Sequence, residues 1–133
     1  MSKTTLPEIY HELMKAPSIR TPYCRVCGKP ANNQHHLVWR SWGELFDEHG
    51  HKMKKPTITL CGSGTTGCHG LAHQRRLHFR CVQKHVLADK ALGMFCYSAY
   101  IEYLITDVPT KYQEALAMKG WKRLPNFEEG FYA

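Results

Sequence analysis

The sequence predicts an α+β domain, because strand-like and helix-like segments alternate along it and two glycine-flanked cysteine pairs stand where a small fold can be pinned. Its 133 residues, 43% hydrophobic, suit one compact domain over 1–133.

Taking the elements in order, Thr5 and Glu8 form a capping-box pair beside Leu6, Ile9, Tyr10, Leu13 and Met14, so a first helix is expected over 5–15. Cys24-Arg25-Val26-Cys27 is a turn closed by Gly28, Asn32-Asn33 is a second turn, and Gln34 to Trp39 reads as extended chain. Residues 41–55 are polar and aperiodic, a loop leading to the strand Thr57-Ile58-Thr59-Leu60. The glycine-rich stretch 62–67 contains Thr66, suited to cap a helix over 67–77 that carries His69, His73 and Arg76 on one face. Leu77, Phe79 and Cys81 alternate with His78 and Arg80, as in a strand. Residues 88–105 are apolar nearly all round and fit either a helix or a pair of strands. Thr110 and Gln113 form another capping pair, before a helix that ends at Gly120, and 126–133 read as a mobile tail.

Charge is concentrated in the middle of the chain. The net charge is +7, yet Arg20 to Lys84 alone holds eleven Lys and Arg against three Asp and Glu. A localised excess of this kind suits a polyanion, and nucleic acid is the expected partner. No signal-peptide pattern opens the sequence, and its longest apolar stretch, 91–105, is broken by Ser98 and Glu102, so neither export nor a membrane span is expected.

Six cysteines in a chain read as cytosolic argue for metal or burial and against disulfides. Cys24 and Cys27, then Cys61 and Cys68, are two pairs whose glycines permit the tight backbone needed to aim thiolates at one ion, so the four are expected to hold a structural zinc. Cys81 and Cys96 lack partners at ligand spacing and read as core. His69 and His73, four apart on a helix, can bind one metal, and the adjacent His35 and His36 point to opposite sides of a strand, leaving one to ligate and one to take a proton from water. Arg76 is a candidate phosphate clamp, with Arg40 and Arg75 as alternatives. His11, His49, His51, His78 and His85 read as packing or solvated residues, His51 being a spare ligand.

Across residues 23–77 these motifs resemble the HNH nucleases, the ββα-metal or His-Me finger family, in particular its small stand-alone phage and prophage members. The motifs that carry the resemblance are Gln34-His35-His36-Leu37-Val38 and Leu60-Cys61 followed by Cys68-His69-Gly70-Leu71-Ala72-His73. The resemblance implies a treble-clef-like ββα-metal core, with an N-terminal helix at 5–15 and an extension over 78–133. It implies a DNA endonuclease in a bacterial or phage-infected cytoplasm that leaves 5′ phosphate and 3′ hydroxyl ends. His35, His69 and His73 would hold the catalytic divalent ion (Mg2+, Mn2+, Ni2+ or Zn2+) and His36 would be the general base. Cys24, Cys27, Cys61 and Cys68 would be the zinc staple often present in such proteins. The sequence departs from the family at two points: Pro56 stands where the middle asparagine belongs, so that its role passes to another group such as Thr57 or Thr59 or is absent, and four extra residues separate Cys61 from Cys68. The alternative reading is a non-catalytic zinc-stapled treble-clef module that binds nucleic acid. A third is a zinc-stapled interaction domain using 95–103 as its sticky face.

Overall fold

The computed structural model describes residues 5–89 and 94–125, with backbone alone for 83–89 and 94–99. Cys96 and His85, read as core and as packing or solvated residues, the 95–99 part of the 95–103 face and the tail at 126–133 therefore lie outside the described side chains.

The first helical segment is shorter than expected: a 3-10 turn, Glu8–Tyr10, runs into α1, His11–Met14. Its capping box does not form. Pro7, already set near helical φ, occupies the N-cap, while Thr5 pairs with Glu44. Leu13 and Met14 are buried, and α1 packs against the long strand β3, Leu77–Asp89.

Two short antiparallel strands follow, β1, Asn33–His36, and β2, Thr57–Leu60, in the register Gln34 to Thr59 and His35 to Ile58. The connection holds a 3-10 turn, Arg40–Trp42, and a loop that Asp47 closes by accepting the amides of His49 and His51, each at 2.9 Å. The helix α2, Gly67–His73, comes next, ending four residues short of the expected 77. It stops in a Schellman arrangement: Arg76 N donates to Leu71 O at 2.9 Å and Arg75 N to Ala72 O at 3.1 Å. Arg75 fills the left-handed position at φ +60, the one non-glycine residue with positive φ among the described residues.

Residues 88–105 are not helical where described. β3 pairs antiparallel with β4, Met94–Ile105, from Leu77 opposite Ile105 to Asp89 opposite Met94. Phe79 and Cys81 pair with Tyr103 and Ile101, and Phe79, Cys81 and Ile101 are buried. Across the same hairpin the Arg80 guanidinium meets Glu102 at 2.7 Å. A two-residue strand, β5, Lys122–Arg123, adds to β4, after α3, Tyr112–Leu116. The capping pair expected at Thr110 and Gln113 does not form either, because the Thr110 hydroxyl donates to Val108 O and Lys111 is the N-cap. Leu6, Leu13, Ile58, Leu60, Ala72, Phe79 and Tyr112 share one buried cluster, which sets β2 and α2 against the hairpin, and β1 is carried by its pairing with β2.

Candidate functional site

Four sulfurs, those of Cys24, Cys27, Cys61 and Cys68, converge so that all lie within 4.8 Å of one another. Cys27 and Cys61 stand 3.4 Å apart, near the separation of about 3.8 Å that two thiolates take on one zinc ion with Zn–S bonds of about 2.3 Å. The first pair rides a tight turn in which Gly28, at φ +83, donates its amide to Cys24 O at 2.9 Å. A hydrogen bond from Cys68 holds the Cys24 thiol well below the usual range, at about 4, against burial, which raises it, and with help from backbone amides. The same bond pushes Cys68 up. Soft, closely packed sulfur donors of this kind fit a structural zinc, which these four residues would hold.

The long Cys61–Cys68 spacer does not part the sulfurs. Ser63 and Thr66 bond to each other through both amides, at 3.2 and 3.3 Å, so the extra residues close upon themselves. Gly62 and Gly67, at φ +84 and +63, form the neck of that loop. Thr66 does sit at the N-cap of α2, but its hydroxyl accepts from Ser63 N at 3.0 Å and leaves the helix uncapped by a side chain. Cys68 N then donates to Cys61 Sγ at 3.4 Å, and His69 N to Cys61 O at 2.9 Å.

One residue beyond Cys68 the second cluster begins. Ligand nitrogens of His35, His69 and His73 lie within 4.8 Å of one another. Antiparallel pairing turns His35 inward opposite Ile58, leaving it 6% exposed, while His36 is turned to the other face and half-buried. His69 and His73, one helical turn apart on α2, bring their Nε2 atoms to 3.1 Å. Two nitrogens on one ion, with bonds of about 2.1 Å, are separated by about 3.0–3.4 Å. The His69 ring thus presents Nε2 to His73, while its Nδ1 is buried with no hydrogen-bond partner among the described residues. Burial, then the neighbouring His69, His73 and His36, drives His35 down to about 3, and burial with His73 lowers His69. At neutral pH both are uncharged, the form that offers lone pairs to a metal.

A depression of about 340 Å³ over these histidines is also lined by His36, Trp39 and Arg40. Burial, then the charges of Arg40 and Lys55, lowers His36, so it too is neutral near pH 7. Lys55 is held there by donating to Trp39 O at 2.8 Å.

Arg76 is not on the face expected for it. The Schellman turn ends α2 before it, its Nε donates to Thr106 O at 2.9 Å, and Thr106 N returns a bond of 2.7 Å to Arg76 O. Arg40 lines the depression, whereas Arg75 lines another cavity, described below. His51 joins neither cluster; it lies 80% exposed beside Asp47. His11 and His78 bond to the carbonyls of Leu6 and Arg75, and Cys81 is buried, as expected of packing residues. Both Thr57 and Thr59 engage the Gln34 side chain, and Thr59 Oγ1 also accepts from Thr21 N at 3.0 Å. Sequence reasoning missed Gln34, Lys55 and Trp39 as members of the site. Gln34 precedes His35 in β1, Trp39 lines the depression from beyond that strand, and the Lys55 charge acts on His36 from the loop before β2, so no spacing rule marks them.

No helix among the described residues is long and apolar enough to cross a membrane. Compared with protein-family models, curated proteins and solved structures, the chain matches none of them.

Proposed function

We propose that this protein is a metal-dependent endonuclease of the HNH type, hydrolysing DNA phosphodiester bonds with His36 as general base. The observation that carries the reading is the meeting of His35 from a strand with His69 and His73 from a helix, beside a second face that presents His36. A strand pair followed by a helix, pinned by four cysteines, agrees with a ββα-metal core.

His35, His69 and His73 would hold the divalent ion, whose chemistry when bound is to offset negative charge growing on the phosphate and the leaving 3′ oxygen. His36, neutral because burial and the Arg40 and Lys55 charges disfavour its protonated form, accepts the proton of an attacking water at a ring nitrogen. Arg40, exposed in the same depression, binds a phosphate oxygen of the strand. Gln34 ties β1 to Thr57 and Thr59 of β2, and so steadies His35 and His36 where the family uses its asparagine.

Plasmid nicking by purified protein with Mg2+, Mn2+, Ni2+ or Zn2+ is the direct test. Cleavage by the wild type that is lost in His36→Ala supports the reading. Tight DNA binding without cleavage under any of these ions overturns it in favour of a zinc-stapled binding module.

A further inference from the structure

A cavity of about 300 Å³ shares two of its wall residues, His35 and Trp39, with the depression over the histidines. Its other walls mix aliphatic side chains such as Leu13, Leu37 and Leu77 with the rings of Tyr10, Trp42 and Tyr112. Trp39 and Trp42 stack at 5.5 Å and 9°, Trp42 and Tyr10 at 3.9 Å and 9°, and Tyr112 follows at 5.4 Å from Tyr10. The run of rings ends at the half-buried Trp39, which stands 5.8 Å from His73. The exposed Arg75 and Lys111 edge the same cavity, and Arg75 is held in its left-handed conformation with its carbonyl accepting from Thr110 N at 2.9 Å and His78 Nε2 at 2.8 Å. Strain at a non-glycine residue persists where the surroundings enforce it, and here it fixes the cationic edge of an aromatic chamber.

We propose that this cavity receives one unpaired nucleobase of the DNA strand held at the histidine cluster, stacked on the Trp39 end of the ring series, with the adjoining phosphate on Arg75 and Lys111. The inference rests on the nuclease reading and deepens it by naming the substrate as a strand with an unstacked base beside the cut. Three features select a base over another occupant. One side of the cavity is a stacked series of rings, which accepts the π-face of any base, and the aliphatic remainder is equally apolar. The cations match the phosphate that accompanies every base. The shared residues His35 and Trp39 put the chamber next to the site of hydrolysis.

Tryptophan fluorescence titrations with a single-stranded 12-mer, the same 12-mer carrying abasic sites at its centre, and a blunt duplex test it. The expected result is that the intact single strand binds about tenfold more tightly than the abasic strand. Trp39→Leu should erase that preference and Trp39→Phe should keep it. Equal binding of intact and abasic strands by the wild type, or an undiminished preference in Trp39→Leu, overturns this inference while leaving the nuclease reading intact. Failure of all three probes to bind at low salt overturns both.

Discussion

The backbones of Gly62 and Gly67 press together so closely that a Cβ on Gly67 would fall 2.9 Å from the Gly62 Cα and 2.7 Å from Cys61 O. A Cβ on Gly62 would meet Thr66 O at 2.1 Å. Both residues also have left-handed φ, so clash and backbone strain act together. Gly62→Ala and Gly67→Ala should each destabilise the protein by about 2 kcal/mol or more and speed zinc release to a chelator. Gly64→Ala, whose Cβ meets nothing within 4 Å, is the control and should melt within a few degrees of wild type. Similar melting of all three would show that the loop neck does not fix the sulfurs.

Zinc content should be one ion per chain at the sulfur cluster, lost in Cys24→Ser or Cys68→Ser with unfolding of the domain. Cys81→Ser alters a buried cysteine outside the cluster and should leave zinc bound. Elemental analysis and thermal melts on the three variants check this. Full zinc in Cys24→Ser would exclude that sulfur as a ligand.

Ligand and base should separate in calorimetry. His69→Ala and His73→Ala are expected to weaken Mn2+ or Ni2+ binding at the histidine cluster and to lose cleavage, whereas His36→Ala loses cleavage alone. Equal loss of metal in all three would make His36 a ligand.

Acid should weaken the fold through histidines buried in neutral form. His35 is driven to about 3 and His78 is also lowered, each chiefly by burial. The unfolded chain takes up these protons below about pH 6.5 while the folded chain does not, so stability is unaffected above that pH. It falls as pH drops below it, by about 1.4 kcal/mol per pH unit per histidine, until each folded pKa is reached. His78 lies in neither metal cluster, so His78→Gln should flatten the decline in urea midpoints between pH 7 and pH 5. An unchanged decline would place the acid sensitivity elsewhere.

Arg40 and Arg76 should differ in their effect on DNA affinity. Arg40→Ala, exposed beside the histidines, should reduce the slope of log affinity against log salt by about 0.9 in fluorescence anisotropy, as expected for one lost phosphate contact. Arg76→Ala should leave that slope unchanged, since its Nε is committed to Thr106 O. The reverse ranking would restore Arg76 as the phosphate clamp.

What the sequence made legible is what local pattern determines. The β-branched alternation of Thr57 to Leu60 marked β2 with its observed bounds, and the spacing of His69 and His73 put both on one helix face. Features set by distant partners were hidden. The end of α2 depends on Arg75 adopting a conformation that glycine usually supplies, so no stop signal was visible there. The hairpin of β3 and β4 arises from pairing such as Phe79 with Tyr103, which periodicity within one segment cannot reveal. Both capping boxes misled because a hydroxyl reports only what it is able to do: Thr110 spends its bond on Val108 O.

Cys68 and His69 are consecutive residues on α2, one facing the sulfurs and the next the imidazoles. The two clusters therefore differ sharply in their tolerance of insertions. Residues added at the tip between Ser63 and Thr66 lie beyond the glycine neck and leave both clusters in phase. One residue added between Cys68 and His69 would rotate the histidine pair by about 100° around the helix, away from His35, while the sulfurs stayed where they are.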